Sequence, residues 1–272
     1  MLLDYLHSAK QDQLVTLDTT VTVSGLATVT VQAVAAKGTI GSGIGEAAVI
    51  GPVGSEAAGS RGRVLLTISL LQPISVNLGL VKLSLPVTIP LIVDIANGTA
   101  TVSDVTCGPD IANTTDVAVS AQAGAVHFYV GTVDPDQFAD LFTPLSPQAA
   151  QIVNAGLVQV NAQGEQDVAP TGAQTLHFSR SDIDAGTVQS VDGTSSIGNS
   201  LDQLGSSATV TVTNAPLGTG ALIANLIKPQ LSAVLSALEP ELTQILASLG
   251  IRAGILDVRA TAARCGKPAL VI

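Results

Sequence analysis

Histidine is the residue type with the widest range of chemistry in this chain, which has three, His7, His127 and His177. His127 and His177 each precede a phenylalanine in a stretch typical of a β-strand. A histidine beside a serine and an aspartate can activate the serine for nucleophilic attack, and such triads are assembled in space, not in sequence. Because any chain rich in serine and aspartate permits that arrangement, the sequence favours structural roles for these histidines and predicts no enzymatic activity.

The two cysteines lie in similar contexts, Cys107 before Gly-Pro and Cys265 before Gly-Lys-Pro. A disulfide between them would close a loop of roughly 160 residues, worth about 3–5 kcal/mol in the chain-entropy model. Two buried free thiols explain the same spacing, so the residues alone leave both states open. Isolated histidines and two such cysteines give no support to a Cys/His zinc site, and we predict no metal.

Residues 43–48 (GIGEAA) match the glycine pattern of a dinucleotide-binding turn. That turn must open a helix, and Gly51, Pro52 and Gly54 interrupt any helix that would follow it. We therefore predict no nucleotide or other cofactor.

Acidic residues are concentrated in one part of the chain. The formal net charge is −10, and between residues 104 and 205 twelve acids face a single base, Arg180. An acidic balance disfavours nucleic acid as a partner. The acids follow no EF-hand spacing, so they indicate a solvated face more than a calcium site.

Small apolar residues dominate the composition. Of the 272 residues, 46% are hydrophobic, 2% are aromatic and 12% are charged. The mean hydropathy of +0.49 excludes intrinsic disorder. The longest apolar stretch, residues 64–93, contains Lys82 and three prolines, which is typical of strands and not of a membrane span.

Strand patterns fill the first half of the chain. Apolar and β-branched residues alternate over 14–23 and 26–35 as a hairpin pair, and again over 64–71, 74–85 and 87–95. Asn97-Gly98 predicts a hairpin turn between residues 87–96 and 99–106. Shorter strand patterns follow at 117–121, 126–130 and 254–264, and Asp134-Pro135 predicts the start of a short helix.

The period changes to three and four residues in the C-terminal part, where leucines recur from Leu222 to Leu249. Pro229 and Pro240 interrupt this amphipathic run, so one kinked helix and two or three linked helices both fit. We predict an α+β fold, in which these helices cover one face of a large twisted antiparallel sheet. A single domain spans 1–272, with an acidic loop-rich insertion at about 108–200 and a helical segment at about 201–249.

Several segments together resemble TadG-like bacterial proteins of the tight-adherence (Tad/Flp) pilus-assembly system. The resemblance covers most of the chain in the same order, and its more distinctive parts are residues 96–107 (ANGTATVSDVTC) and 264–271 (RCGKPALV). It is carried further by residues 78–87, 92–95, 176–179, 182–183, 186–188 and 256–261.

The resemblance implies the extracytoplasmic part of a bacterial cell-envelope protein, on the periplasmic or extracellular side. The resemblance also implies that any membrane attachment is made through an N-terminal anchor, which we expect to lie outside this sequence. An envelope location is oxidising, so the resemblance favours a Cys107–Cys265 disulfide that staples the fold. The resemblance implies no catalytic residues. The partners that it implies are other envelope and pilus-assembly proteins.

Two functions of different classes remain. The first is non-enzymatic assistance of pilus assembly or surface attachment through protein–protein contacts. The alternative is a module of the tubular lipid-binding type, in which strands and helices enclose an apolar channel. The residues that would line that channel are Leu78, Leu80, Leu83, Leu85, Leu231, Leu235, Leu238, Leu242 and Ile245.

Overall fold

The computed structural model of the protein describes residues 17–22, 28–39, 49–59, 61–70, 73–77, 82–110, 114–156, 158–170, 172–193, 199–215, 218–248 and 253–264. The glycine motif at residues 43–48 lies outside this part of the chain.

Strands outnumber helices in the described residues. The strands are β1 (Leu17–Thr22), β2 (Thr28–Thr39), β3 (Glu56–Ala58), β4 (Arg61–Leu70), β5 (Ile74–Asn77), β6 (Lys82–Leu85), β7 (Thr88–Ile95), β8 (Thr99–Cys107), β9 (Thr115–Gln122), β10 (Val126–Val130), β11 (Ala150–Asn154), β12 (Gln159–Val168), β13 (Gln174–Ser179), β14 (Gln189–Asp192), β15 (Thr209–Thr213) and β16 (Ile255–Val258). The helices are α1 (Pro135–Ala139), α2 (Arg180–Ala185), α3 (Ser200–Ser207) and α4 (Gly220–Ser248).

The largest sheet is antiparallel and has eight strands. β1, β2, β4, β7, β10 and β12 lie side by side in that order, while β11 and β15 both pair with residues 159–162 of β12, from its two sides. The predicted hairpin near the N-terminus is confirmed by the pairing of β1 with β2. In β4 the alternation of side chains buries Val64, Leu66 and Ile68 on one face of the sheet.

The predicted hairpin at Asn97-Gly98 is wrong. β7 pairs with β4 and β10, whereas β8 pairs with β3 and β9 in a separate four-stranded sheet. The two residues therefore carry the chain from one sheet to the other. A Cβ at Gly98 would lie 2.8 Å from the carbonyl oxygen of Gln122, so glycine is required there by close backbone packing.

The four-stranded sheet follows the order β13-β9-β8-β3 and has its own core. Val117, Val119 and Phe178 are buried in it, and Ile183 of α2 packs with them. The ribbon of β14 and β16 supplies Val191 and Leu256 to the same cluster. β16 confirms the first part of the strand predicted at 254–264, whereas residues 259–264 are not in a strand.

Helices α3 and α4 cover one face of the eight-stranded sheet, which confirms an α+β fold with antiparallel sheets. Ile223, Ile227, Leu231 and Leu238 of α4 belong to the same buried cluster as the sheet residues. α4 is one continuous helix through both prolines. Because the rings of Pro229 and Pro240 are on the exposed side of the helix, water can satisfy the carbonyls that they leave without a backbone donor.

Residues Gly220–Ala247 of α4 are also long and apolar enough to cross a membrane by length and composition alone. Within an 18-residue stretch of this segment, one third of the residues are buried inside the protein, where α4 packs against α3 and the sheet.

Three predicted segments differ from the structure. Residues 108–200 are not loop-rich: they contain the strands β9 to β14, of which β9, β10 and β12 lie inside the two larger sheets. The segment 201–249 is not entirely helical, because β15 separates α3 from α4. Within 74–85, the single predicted strand is a hairpin of β5 and β6. A local pattern of alternation does not distinguish a loop from a short strand whose partner is distant in sequence.

Candidate functional site

A row of charged and polar residues crosses four neighbouring strands of the eight-stranded sheet. Arg63 of β4 lies opposite Asp94 of β7, Asp94 lies opposite His127 of β10, and His127 lies opposite Asp167 of β12. We call these four residues the charged row. It occupies the face of the sheet opposite the helices, since the neighbouring residues in each strand, such as Val64 and Val93, belong to the helix-covered core.

Arg63 joins the charged row to the segment around α1. It is almost completely buried, and its guanidinium donates to the carboxylate of Asp94 at 3.1 Å. It also donates to three backbone carbonyls, those of Gln137 at 2.8 Å, Asp140 at 2.5 Å and Thr143 at 2.7 Å. Two of these carbonyls belong to the C-terminal end of α1, where a cation is favoured by the unpaired backbone acceptors. Arg63 therefore holds this segment against the sheet.

His127 is held from the other end of the row. Its Nδ1 donates to the carboxylate of Asp167 at 2.6 Å, because an ionised carboxylate only accepts. The imidazole stacks on Tyr129 with 6.4 Å between ring centroids. Burial, followed by the negative charges of Asp94, Asp167 and Glu165, raises the pKa of Tyr129 to about 12. The phenol is thus held neutral and serves as an apolar neighbour of His127.

The two histidines do not form one site. His177 lies on β13 of the four-stranded sheet, where its Nδ1 donates to Asp116 of β9 at 2.8 Å. Both His–Asp pairs join neighbouring strands, and their side chains are 31% exposed for His127 and 64% exposed for His177. Among the described residues, no three His, Cys, Asp or Glu side chains are grouped to hold a metal ion.

Several acidic residues of the 104–205 region shape local structure. Asp134 accepts from the backbone NH of Asp136 and caps α1, as the sequence predicts. Asp182 forms a capping box with Ser179 at the start of α2, and the Ser179 hydroxyl and NH hold the pKa of Asp182 below its usual value. The hydroxyl of Thr143 and the NH of Phe142 similarly lower the pKa of Asp140. These carboxylates accept hydrogen bonds from backbone NH groups and hydroxyl groups.

The leucines predicted to line an apolar channel are buried where the structure describes them. Leu231, Leu235, Leu238, Leu242 and Ile245 lie on the inner face of α4, and Leu85 joins the same cluster from the sheet. Leu78 and Leu80 lie outside the described residues, as does the side chain of Leu83.

The contact between α4 and the sheet is closely packed. A cavity remains between Ile227 and Leu231 of α4 and the ends of β4 and β7, and its volume is about 10 Å³. That is space for about one water molecule, and an acyl chain requires far more. The described leucines therefore contribute to the apolar core between α4 and the sheet.

Cys107 is the last residue of β8, and Cys265 lies outside the described residues. The disulfide between them therefore stays a prediction.

The pair of Arg63 and Asp94 is not among the residues predicted from the sequence. A signal for it is present, because each is a charged residue at a buried position of a largely apolar strand, and the two charges have opposite signs. Their strands are separated in sequence by the β5–β6 hairpin, so the pairing depends on sheet order and register.

Three comparisons with known proteins give no match: no family model, no curated protein and no solved structure is similar to this chain.

Proposed function

We propose that the chain is a non-enzymatic protein of the bacterial cell envelope that acts through protein–protein contacts, assisting Tad/Flp pilus assembly or surface attachment. The likeness of residues 96–107 and 264–271 to TadG-like proteins supports this role. Pilus-assembly and other envelope proteins are its proposed partners.

The contact role is supported by the hydrogen bonds of the polar side chains in the described residues, which hold parts of the fold together. Arg63 and Asp94 anchor a segment, while His127 and His177 brace neighbouring strands. The helix-covered face is closely packed, with a cavity of about 10 Å³. The outer surface and the sheet edges of the described residues are surfaces of the kind that bind other proteins.

At the proposed envelope location Cys107 and Cys265 would form a disulfide, because thiols in the periplasm are oxidised. The bridge would connect the end of β8 with the segment after β16. It would therefore hold the C-terminal residues to the four-stranded sheet.

Deletion of the gene in a bacterium that assembles Flp pili tests this function. We expect fewer pili and weaker surface attachment, and both should be restored by the wild-type gene. A copy with Gly172→Ala should restore them equally, because a Cβ at Gly172 meets no atom within 4 Å. Normal pili and attachment after deletion would contradict the proposal.

Solvent extraction of the purified protein, followed by mass spectrometry, tests the alternative of lipid binding. We expect no stoichiometric lipid. Recovery of one acyl lipid per chain would overturn the contact role in favour of the lipid-binding one.

A further inference from the structure

Strand β15 is an edge of the eight-stranded sheet that carries no charge. In the described residues it pairs with β12 on one side, and no strand pairs with its other side. Exposed edges tend to pair with other chains, and proteins commonly protect them with charged residues. The edge strands β1, β3 and β13 each carry a titratable residue, Asp18, Glu56 and His177 respectively. β15 has the sequence TVTVT and lacks this protection.

The sequence of β15 is the same in both directions. If two copies paired antiparallel about a two-fold axis at Thr211, Thr209 of each copy would lie opposite Thr213 of the other, and Val210 opposite Val212. Such β-branched pairs and threonine pairs stabilise neighbouring strands. A two-fold contact requires a surface that is complementary to itself, and this strand has that property along its whole length.

The side chains on the two faces of β15 are also compatible with antiparallel pairing of two copies. Val210 and Val212 pack against the helix-covered core, while the three threonines are exposed on the other face. The threonines lie opposite Gln159, Asn161 and Gln163 of β12, so this part of the sheet is polar but uncharged. Because each copy carries a net charge of −10, two copies approach at the least electrostatic cost along an uncharged edge.

Exposed leucines lie at the start of α4, the helix that packs on β15. α4 begins against β15, where a Cβ at Gly220 would lie 3.8 Å from Cβ of Val212. In the first two turns of α4, Leu222 is 57% exposed and Leu226 is 48% exposed. A two-fold axis at Thr211 would place the starts of both α4 helices on the same side of the joined sheet, where these leucines gain apolar cover.

We propose that the protein forms a two-fold dimer by antiparallel pairing of β15 with β15 of a second copy. The two eight-stranded sheets then join into one continuous sheet across the axis. This dimer goes beyond the proposed function and does not depend on it, because the argument uses only the edge, its charge and its register.

Two matched double variants test the pairing and its register. Thr209→Lys with Thr213→Lys places like charges opposite each other at both ends of the paired strands. Thr209→Lys with Thr213→Glu places opposite charges there instead. All the substituted side chains are exposed, and their partners on β12 are neutral, so both variants should fold like the wild type, as circular dichroism would check.

Sedimentation equilibrium of the full chain over a range of concentrations supplies the measurement. We expect a dimer for the wild type, at least a tenfold higher dissociation constant for the Lys/Lys variant, and a dimer for the Lys/Glu variant. A monomeric wild type at its highest soluble concentration would overturn the proposal. So would equal dissociation constants for the two double variants, because these would place the dimer contact elsewhere.

Discussion

At the scale of single residues, the charged row shows how an apolar sheet accommodates buried charge. Arg63 is accepted in the interior because Asp94 and three backbone carbonyls all receive its hydrogen bonds. A buried charge without such partners would cost several kcal/mol. At the exposed end of the row, His127 and Asp167 need only each other, since water solvates the rest of their surface. Aspartate therefore has different energetic roles along the row: Asp94 is a buried counter-charge, whereas Asp167 is an exposed partner of His127.

Replacing Arg63 by methionine should lower the free energy of unfolding by about 3–5 kcal/mol, since it leaves Asp94 buried without a counter-charge. Chemical denaturation would measure the change. Adding Asp94→Leu to Arg63→Met should cost less than the sum of the two single substitutions, because no unpaired carboxylate remains.

Arg180→Met provides the control for that series. It removes an exposed pair with Asp184 one helical turn away, and should change stability by no more than about 0.5 kcal/mol. Equal effects of Arg63→Met and Arg180→Met would refute a special role for the buried guanidinium.

Tyr129 should ionise late in an alkaline titration. Its folded pKa of about 12 exceeds the ordinary value of 10.0, so its contribution to stability is complete below pH 10 and is lost as the pH rises toward 12. Phenolate absorbance of the folded protein should therefore contain a component near pH 12. Tyr129→Phe should remove that component and leave the signal of Tyr5, the second tyrosine in the chain. Persistence of the late component in Tyr129→Phe would assign it to Tyr5 instead.

At the scale of elements, the contact between α3 and α4 depends on a glycine. Gly205 is buried in α3, and a Cβ built there would overlap the Cα of Ser232 in α4. The Ser232 hydroxyl donates to the carboxylate of Asp202 at 2.8 Å, and Glu239 accepts from the backbone NH of Asn199 at 2.8 Å. Close backbone approach and these polar contacts together fix how α3 and α4 lie against each other.

Gly205→Ala should destabilise the protein by about 1–3 kcal/mol, although alanine is the better helix former, because the added methyl group forces the two helices apart. Gly172→Ala is the matched control, since open space surrounds a Cβ at that position. Thermal unfolding of both variants would compare them. A Gly205→Ala protein as stable as Gly172→Ala would show that the helices separate without cost.

At the scale of the whole molecule, two antiparallel sheets with separate cores are connected through the Asn97-Gly98 crossing. Strands that follow one another in sequence are frequently placed in different sheets, so the fold is held by contacts between distant segments. A covalent link between β8 and the C-terminal segment would reduce the entropy of the unfolded chain substantially, since the loop that it closes is long.

The Cys107–Cys265 bridge should be visible in protein that has been exported to an oxidising compartment. Alkylation of the denatured, unreduced protein should add no mass, and alkylation after reduction should add two groups. The chain-entropy model places the contribution of the bridge to stability at about 3–5 kcal/mol. Two alkylated thiols without reduction would show that both cysteines are free.

Local patterns in the sequence determined much of this fold. Alternation placed β1, β2, β4 and β7, the three- and four-residue leucine period placed α4, and Asp134-Pro135 placed α1, because each of these signals acts between neighbouring residues. The charged residues of the candidate site were harder to interpret. Histidine pairs with aspartates, and the burial of Arg63 with Asp94, depend on which strands become neighbours.

Tertiary structure alone decided the order and register of the strands. It sent β7 and β8 into different sheets, brought four strands together to form the charged row, and left β15 at an edge. Alternation states which face a residue prefers but not which distant strand lies beside it, since many pairings bury the same apolar surface. That choice is made by the packing of the whole chain, through the fit of helices on the sheet and the pairing of its few buried charges.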